Sequence, residues 1–348
     1  MKFLQKISAL DIAIFFRQLA TLTTAGIPII QSFEIIKRSQ EKIPLKKLIH
    51  SVKNEIEEGQ NLVHSFKKFP DFFDHLTCHL IHVGEQTGKI DTIFQRIAHY
   101  KEKSLALKKQ IKRAIFYPAL VFMISSIISI LMLTCVVPRF AELFREMHGS
   151  LPYFTKLVIT LSDLCCHNLW LGIFPIILVI FFSMALKKSI QLKQQIDQLL
   201  IHIPVIGNAI KKIILARLSR SLAITFAAGV PLTDALKIVA TACGNSLFTK
   251  QFMILRSRII SGEQLHHAMQ SLTLFPIMLV QMIKIGEESG TLDQMLEKIA
   301  DLYESDIEQM VALLSQLLEP LIMVILGVLI GGLVIAMYLP IFKLGTVI

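Results

Sequence analysis

The chain has 348 residues, 53% of them hydrophobic, with a mean hydropathy of +0.59 and a formal net charge of +10. That apolar fraction exceeds what a water-soluble globule carries, which excludes a purely soluble enzyme or binding domain. Nor does the basic surplus point to nucleic acid, because it is concentrated beside uncharged stretches where anionic lipid accounts for it.

The N-terminal segment MKFLQKISALDIAIFFRQ has lysines but no unbroken apolar run or small-residue cleavage site, so no secretory signal peptide is expected there. Ile12, Phe15, Phe16, Leu19 and Leu22 recur at helical spacing and line one face of a first helix. Gly26 suits the left-handed position after a helix C-terminus and Pro28 the first turn of the next helix, which together make a hairpin signal. Further helices are expected near 44–58, 61–68 and 72–83. Gly88 breaks the chain before a long helix from about 90, with Asp91 favourably placed near its positive N-terminal end. No segment in either polar region alternates like a strand, so a small antiparallel bundle of about six helices is expected, the last entering a bilayer.

Three stretches lack Asp, Glu, Lys and Arg: 25 residues between Arg113 and Arg139, 23 between Asp163 and Lys187, and 23 between Glu319 and Lys343. Each is long enough to cross the hydrocarbon core as a helix. Lysines and arginines crowd the start of the first stretch and follow the second, so the positive-inside rule orients the chain. The expected organisation is a first cytoplasmic helical domain (1–113), a transmembrane helix (114–138) and a periplasmic loop with an interfacial helix (139–163). A returning transmembrane helix (164–186), a second cytoplasmic domain (187–318), a third transmembrane helix (319–342) and a short periplasmic tail (343–348) follow. In the third span, Gly327 and Gly331 form a small-xxx-small pair that suits close helix approach.

The chain also repeats itself. RQLATLTTAGIPIIQSFEII from Arg17 returns as RSLAITFAAGVPLTDALKIV from Arg220, identical at seven of 20 positions. GEQTGKIDTIFQRIA from Gly84 returns as GEESGTLDQMLEKIA from Gly286, identical at six of 15. Gly229 and Pro231 thus repeat Gly26 and Pro28, while Glu287, Gly290 and Asp293 repeat Glu85, Gly88 and Asp91. Pro118 and Pro138 return as Pro320, preceded by Glu319, and Pro340. Such a unit is too large for a solenoid repeat, so a whole module, a polar helical domain plus an outgoing span, is duplicated. Two modules in one orientation need one returning helix, and the unduplicated middle segment supplies it.

Several apparent motifs carry little chemistry. GEQTGKI has its glycines one residue too close for a phosphate loop, Ile90 in place of the hydroxyl, and helix where a strand should precede it. His75, Cys78, His79 and His82 share a helix face in zinc-ligand chemistry, yet the second copy has Ile277, Val280, Gln281 and Lys284 there. Cys78, Cys135, Cys165, Cys166 and Cys243 form no disulfide framework. The repeated acids read either as helix-end caps around Gly88 and Gly290 or as a partner or cation contact, and Arg17 and Arg220 either as their internal partners or as partner-facing charges. No Ser/His/Asp set stands out, and no cofactor is indicated. The spans lack the internal charges that ion transport needs.

The repeated strings, with YPALVF…VVPRF and the closing EPLIMVILGVLIGGLVIAMYLPIF, resemble the inner-membrane platform family: the F proteins of type II secretion and the platform proteins of type IV pili. The resemblance spans about Phe15 to Phe342. It implies an all-α membrane protein with two similar cytoplasmic bundles, three transmembrane helices and a bacterial inner-membrane location, N-terminus cytoplasmic and C-terminus periplasmic. It further implies a non-catalytic homo-oligomer that couples a cytoplasmic hexameric ATPase to pilin or pseudopilin helices, alongside other inner-membrane assembly proteins. A passive membrane adaptor is the alternative, ahead of a transporter. Arg17, Gly26, Pro28, Glu85, Gly88 and Asp91, with their counterparts, are the expected motif and partner positions. Pro118, Pro138, Glu319, Pro320 and Pro340 are the expected membrane motif.

Overall fold

The computed structural model describes residues 7–139, 142, 153–167, 199, 201, 203 and 206–344. Among the described residues every regular element is helical. The chain divides into two units. One joins Met1–Lys109 with Gln194–Glu308; the other joins Gln110–Lys193 with Gln309–Ile348.

In the first unit, the first repeat forms α1 (Ala9–Thr24), α2 (Ile29–Ser39), α3 (Ile43–Glu57), α4 (Leu62–Lys67), α5 (His75–Thr87) and the start of α6 (Ile90–Leu131). Ser8 and Asp11 close a reciprocal capping box at the head of α1, and Lys42 clamps Asp11 at 2.7 Å. The expected apolar face of α1 is its buried face: Phe15, Phe16 and Leu19 are at most 1% exposed. Phe15, Phe16, Phe33, Phe66 and Phe73 form a network of edge-on and stacked rings, Phe66 and Phe73 being 4.6 Å apart. Burial of this size is the dominant stabilising contribution to such a bundle.

After α7 (Tyr153–His167), which belongs to the second unit, the second repeat forms the same series again: α8 (Ile206–Ala227), α9 (Leu232–Ala242), α10 (Ser246–Ile260), α11 (Leu265–Gln270), α12 (Ile277–Ser289) and α13 (Leu292–Leu344). Phe248, Phe252 and Phe275 pack edge-on in its core. One continuous apolar cluster embraces both repeats, and α5 of the first packs against α9 of the second.

The second unit contains the apolar parts of α6 and α13. Both helices are long and apolar enough to cross a membrane, with mean hydropathy 2.7 and 2.5 over their best windows. Their side chains there face outward, Phe122 being 61% and Val328 71% exposed. As expected, each runs without interruption from its polar repeat. Pro118 lies inside α6. Ahead of Pro138 the helix widens into a π segment, Met132–Val136, because a proline offers no N–H and crowds the carbonyl four residues before it. The expected returning span, 164–186, lies almost entirely outside the described residues.

The helix α7 (Tyr153–His167) falls where an interfacial helix was expected, but it is more than a surface element. Its Thr155 hydroxyl is buried and donates to the Ala336 carbonyl of α13 at 2.7 Å, while Ser162 donates to Leu133 in the π segment. Val137, Val158 and Ala336 form a small buried cluster beneath it. Gly327 and Gly331 leave open space, with nothing within 4 Å of where a Cβ would stand.

Candidate partner-binding site and the repeated motifs

The repeated GE-x-x-G strings are junctions between helices. Gly84 and Gly286 let α5 and α12 lie against the following long helix. A Cβ on Gly84 would come 2.8 Å from Ile93 Cγ1, and one on Gly286 would come 2.9 Å from the Leu292 backbone. Gly88 and Gly290 end their helices at φ 70°, the left-handed turn expected after a C-terminus. Asp91 and Asp293 occupy the first turns of α6 and α13, as their charge favours. Gly26 and Gly229 take φ 80° and 87°, and Pro28 and Pro231 sit at the N-caps of α2 and α9, one step ahead of the expected first turn.

Glu85 and Glu287 are caps, but not of the helix ends beside them. Glu85 accepts the Leu62 N–H at the head of α4, 2.8 Å away. Glu287 accepts the Leu265 and His266 N–H groups at 2.7 and 2.9 Å and also meets His266 Nδ1 at 2.6 Å. The two acids therefore tie a short helix to the junction, satisfying amides that would otherwise be orphaned. At α4, Asn61 shares the task by accepting from His64 N–H; Gln264 at α11 makes no such bond. Glu287→Ala should accordingly cost about 2 kcal/mol and Glu85→Ala about 1 kcal/mol. Faster amide hydrogen exchange across Leu265–Gln270 than across Leu62–Lys67 checks this ordering.

Arg17 and Arg220 do not pair with those repeated acids. Arg17 makes a two-pronged pair with Glu102 on α6, its Nε 2.8 Å from Oε1, and both side chains are about half exposed. Arg220 makes the matching pair with Glu304 on α13, at 2.8 and 3.2 Å, but is itself 3% exposed. It also touches Asp301 at 2.5 Å and Glu297 at 3.5 Å. Burial raises the Asp301 carboxyl pKa, yet the bonded Arg220 outweighs it and the group sits below its usual range. Lys103 of the first repeat joins this group, 3.4 Å from Asp301. Sequence reasoning missed Glu102 and Glu304, although their separation of 202 residues is that of the GE-x-x-G strings.

Between the repeats, within the same unit, lies a cleft of about 800 Å³. It gathers Arg17, Arg96 and His99 from one repeat and Arg220, Asp293 and Glu297 from the other. Of the positions singled out from sequence it brings together Arg17, Arg220 and Asp293, and leaves Glu85, Asp91 and Glu287 outside. The histidine face forms a smaller hollow of about 240 Å³, shared with Asn61, His64 and Lys67. Burial, then His82 and His75, hold the His79 imidazole below its ordinary pKa. Among the described residues no three His, Cys, Asp or Glu side chains are placed to hold a metal ion.

Burial also pushes the Cys78 thiol up to about 11 and the Cys243 thiol to about 12. Neither forms appreciable thiolate near neutrality. Maleimide modification of the native chain at pH 7 should therefore be slow at both and should follow unfolding; fast labelling of Cys78 or Cys243 themselves, located by peptide mapping apart from the exposed Cys135, would contradict the packing around them.

The chain matches the family described as type II secretion system protein F over residues 15–138 and again over 218–340. The two matched segments are the two repeats, each with its outgoing helix. The chain belongs to the type II secretion system protein F family. Among relatives of this F-family chain, the type IV pilus assembly protein TapC of Aeromonas hydrophila is 42% identical over 345 residues, covering 99% of this chain and 83% of that protein. The type IV pilus assembly protein PilC of Pseudomonas aeruginosa is 40% identical, covering 99% and 92%. The type II secretion system protein F of Vibrio cholerae is 27% identical, covering 99% and 85%. The strings repeated within this chain are, in the structure, helix junctions and cross-helix caps, and Arg17 and Arg220 form the α1–α6 and α8–α13 ion pairs.

Proposed function

We propose that this chain is the inner-membrane platform of a type IV pilus assembly machine. The observation that carries the reading is the double family match, whose two segments coincide with two identical helix series, each continuing into an apolar helix. The identities of 32–42% to type IV pilus assembly proteins, against 27–29% to secretion F proteins, favour the pilus over the secretion machine.

In this reading the two polar repeats form helical bundles in the cytoplasm, and three spans, at 114–138, 164–186 and 319–342, hold the chain in the membrane with its C-terminus outside. Lys101, Lys108, Lys109, Lys112 and Arg113 at the head of the first span support that orientation. A cytoplasmic hexameric ATPase grips the repeats, and long helices such as α6 carry its movement toward the bilayer, where pilin helices and other assembly proteins meet the spans. The chain itself is non-catalytic, needs no cofactor and binds no nucleic acid. Arg17, Arg220 and Asp293, which share the central cleft, are the strongest candidates for sensing that movement.

Reconstitution tests this directly. The full-length chain in nanodiscs should hydrolyse no ATP alone, should bind the purified hexameric ATPase, and should change its turnover. Failure to bind, or turnover indifferent to the chain, would overturn the coupling role.

A further inference from the structure

The two repeats touch through faces that are not equivalent. The first presents α5, which packs on α9 of the second, and Tyr100 of α6, which lies near Ser221 and Arg217 of α8. Tyr100 is 9% exposed, with Ser221 and Arg217 of α8 beside its hydroxyl, and His79 of α5 faces Asp234 of α9. Apart from the Lys103–Asp301 pair, which joins the equivalent helices α6 and α13, this packing uses in each repeat a face whose counterpart in the other repeat it leaves unused.

Those counterparts are open and apolar. On the presenting side, Leu76 is 1% exposed whereas its equivalent Met278 is 57%, and Tyr100 at 9% corresponds to Leu302 at 44%. On the receiving side, Ile238 of α9 is 4% exposed, while the same residue type at the matching position of α2, Ile35, is 39% exposed. Arg217 is half-buried, but Ile14 in its place on α1 is 44% exposed. Among the described residues, no packing of α12 on α2 comparable to that of α5 on α9 exists. Isolated exposed apolar residues are ordinary, but here they coincide with the unused halves of a contact that is filled once within the chain.

A contact between unlike faces can propagate from one molecule to the next and close into a ring. We propose that α12 and Leu302 dock on the α1–α2 face of a second copy of this chain, repeating between molecules the contact that joins the repeats within one. The occupant is a second copy because the complementary face is already built, in duplicate, into the same chain. The inference rests on the platform reading only in that a platform assembles from several copies; it specifies which surfaces meet.

Photo-crosslinking of full-length protein tests it. Two populations with different affinity tags are mixed in membranes, one carrying Gln281→benzoylphenylalanine, the position equivalent to His79. Adducts bearing both tags are expected, with mass spectrometry placing the link on α1 or α2 near Gln31, the equivalent of Asp234. Leu302→benzoylphenylalanine should link near Gln18, the equivalent of Ser221. Adding Ile35→Glu to the receiving population should lower the mixed-tag product about tenfold, as expected for a central contact in an apolar interface. Adducts confined to one chain would mean the open faces close on each other within a molecule, and adducts from α12 to α12 would mean a two-fold contact; either overturns the proposal. Because the readout is contact between copies, it is independent of whether an ATPase binds.

Discussion

Arg220→Ala is expected to destabilise the protein by about 3 kcal/mol, whereas Arg17→Ala costs less than about 1 kcal/mol, although the two residues occupy the same place in the repeat. The difference is environment. Arg17 and Glu102 meet at the surface, 47% and 42% exposed, where water competes for both ions and salt screens them. The Arg220 side chain is 4% exposed and Glu304 15%, so removing the guanidinium leaves a poorly solvated carboxylate with only Lys103, 3.8 Å away, as counter-charge. Asp301, at 53%, rehydrates readily and adds little. Arg220→Lys should recover part of the loss, since an ammonium keeps the charge but cannot make the two-pronged geometry. Thermal unfolding of full-length chain with Cys135, Cys165 and Cys166 replaced by alanine, followed by exposure of buried Cys78 and Cys243 to a thiol dye, reads all three variants. Equal shifts for Arg17→Ala and Arg220→Ala would show that the second-repeat pair is not buried as described.

Gly286→Ala should be nearly as damaging, by about 1–3 kcal/mol of overpacking, and worse than Gly84→Ala. The added methyl at 286 would lie 2.9 Å from the Leu292 Cα and 3.1 Å from Met295 Cβ and Cγ, so the junction between α12 and α13 must open. At 84 the obstacles are side-chain atoms of Ile90 and Ile93 at 2.8–3.1 Å, which can shift in part by changing rotamer. Gly290→Ala is the control: it has open space around it and carries only the strain of a left-handed backbone, about 1 kcal/mol. The same thiol-dye melts should rank 286 above 84, with Gly290→Ala close to 1 kcal/mol; a neutral Gly286→Ala would mean that α12 and α13 are not in such close contact.

Much of the architecture was legible because it depends on local rules. Helical spacing of Ile12, Phe15, Phe16 and Leu19 marked the buried face of α1, and Gly88 and Gly290 marked left-handed stops. Duplication made these readings stronger, since a signal that appears twice at one offset is not composition by chance. What escaped depends on which helices meet. Glu85 and Glu287 act on α4 and α11, more than 20 residues earlier, and nothing local shows that reach. The partners of Arg17 and Arg220 lie 85 and 84 residues away. Periodicity also treats equivalent positions alike, so it could not reveal that Ile35 is open and Ile238 covered. The hydroxyls that lodge α7 against α6 and α13 were invisible for the same reason, as Thr155 and Ser162 look like the polar side of a surface helix.

In the proposed function both repeats face one aqueous compartment, where a single motor can act on them. Gln60 and Glu263 stand at equivalent exposed turns of the two repeats. With Gln60→Cys or Glu263→Cys placed in a chain whose five native cysteines are replaced by alanine, an impermeant maleimide is added outside the inner membrane of spheroplasts. Both cysteines should be protected until the membrane is permeabilised and then labelled equally. Labelling of one and protection of the other in sealed cells would place the repeats on opposite sides and contradict the account.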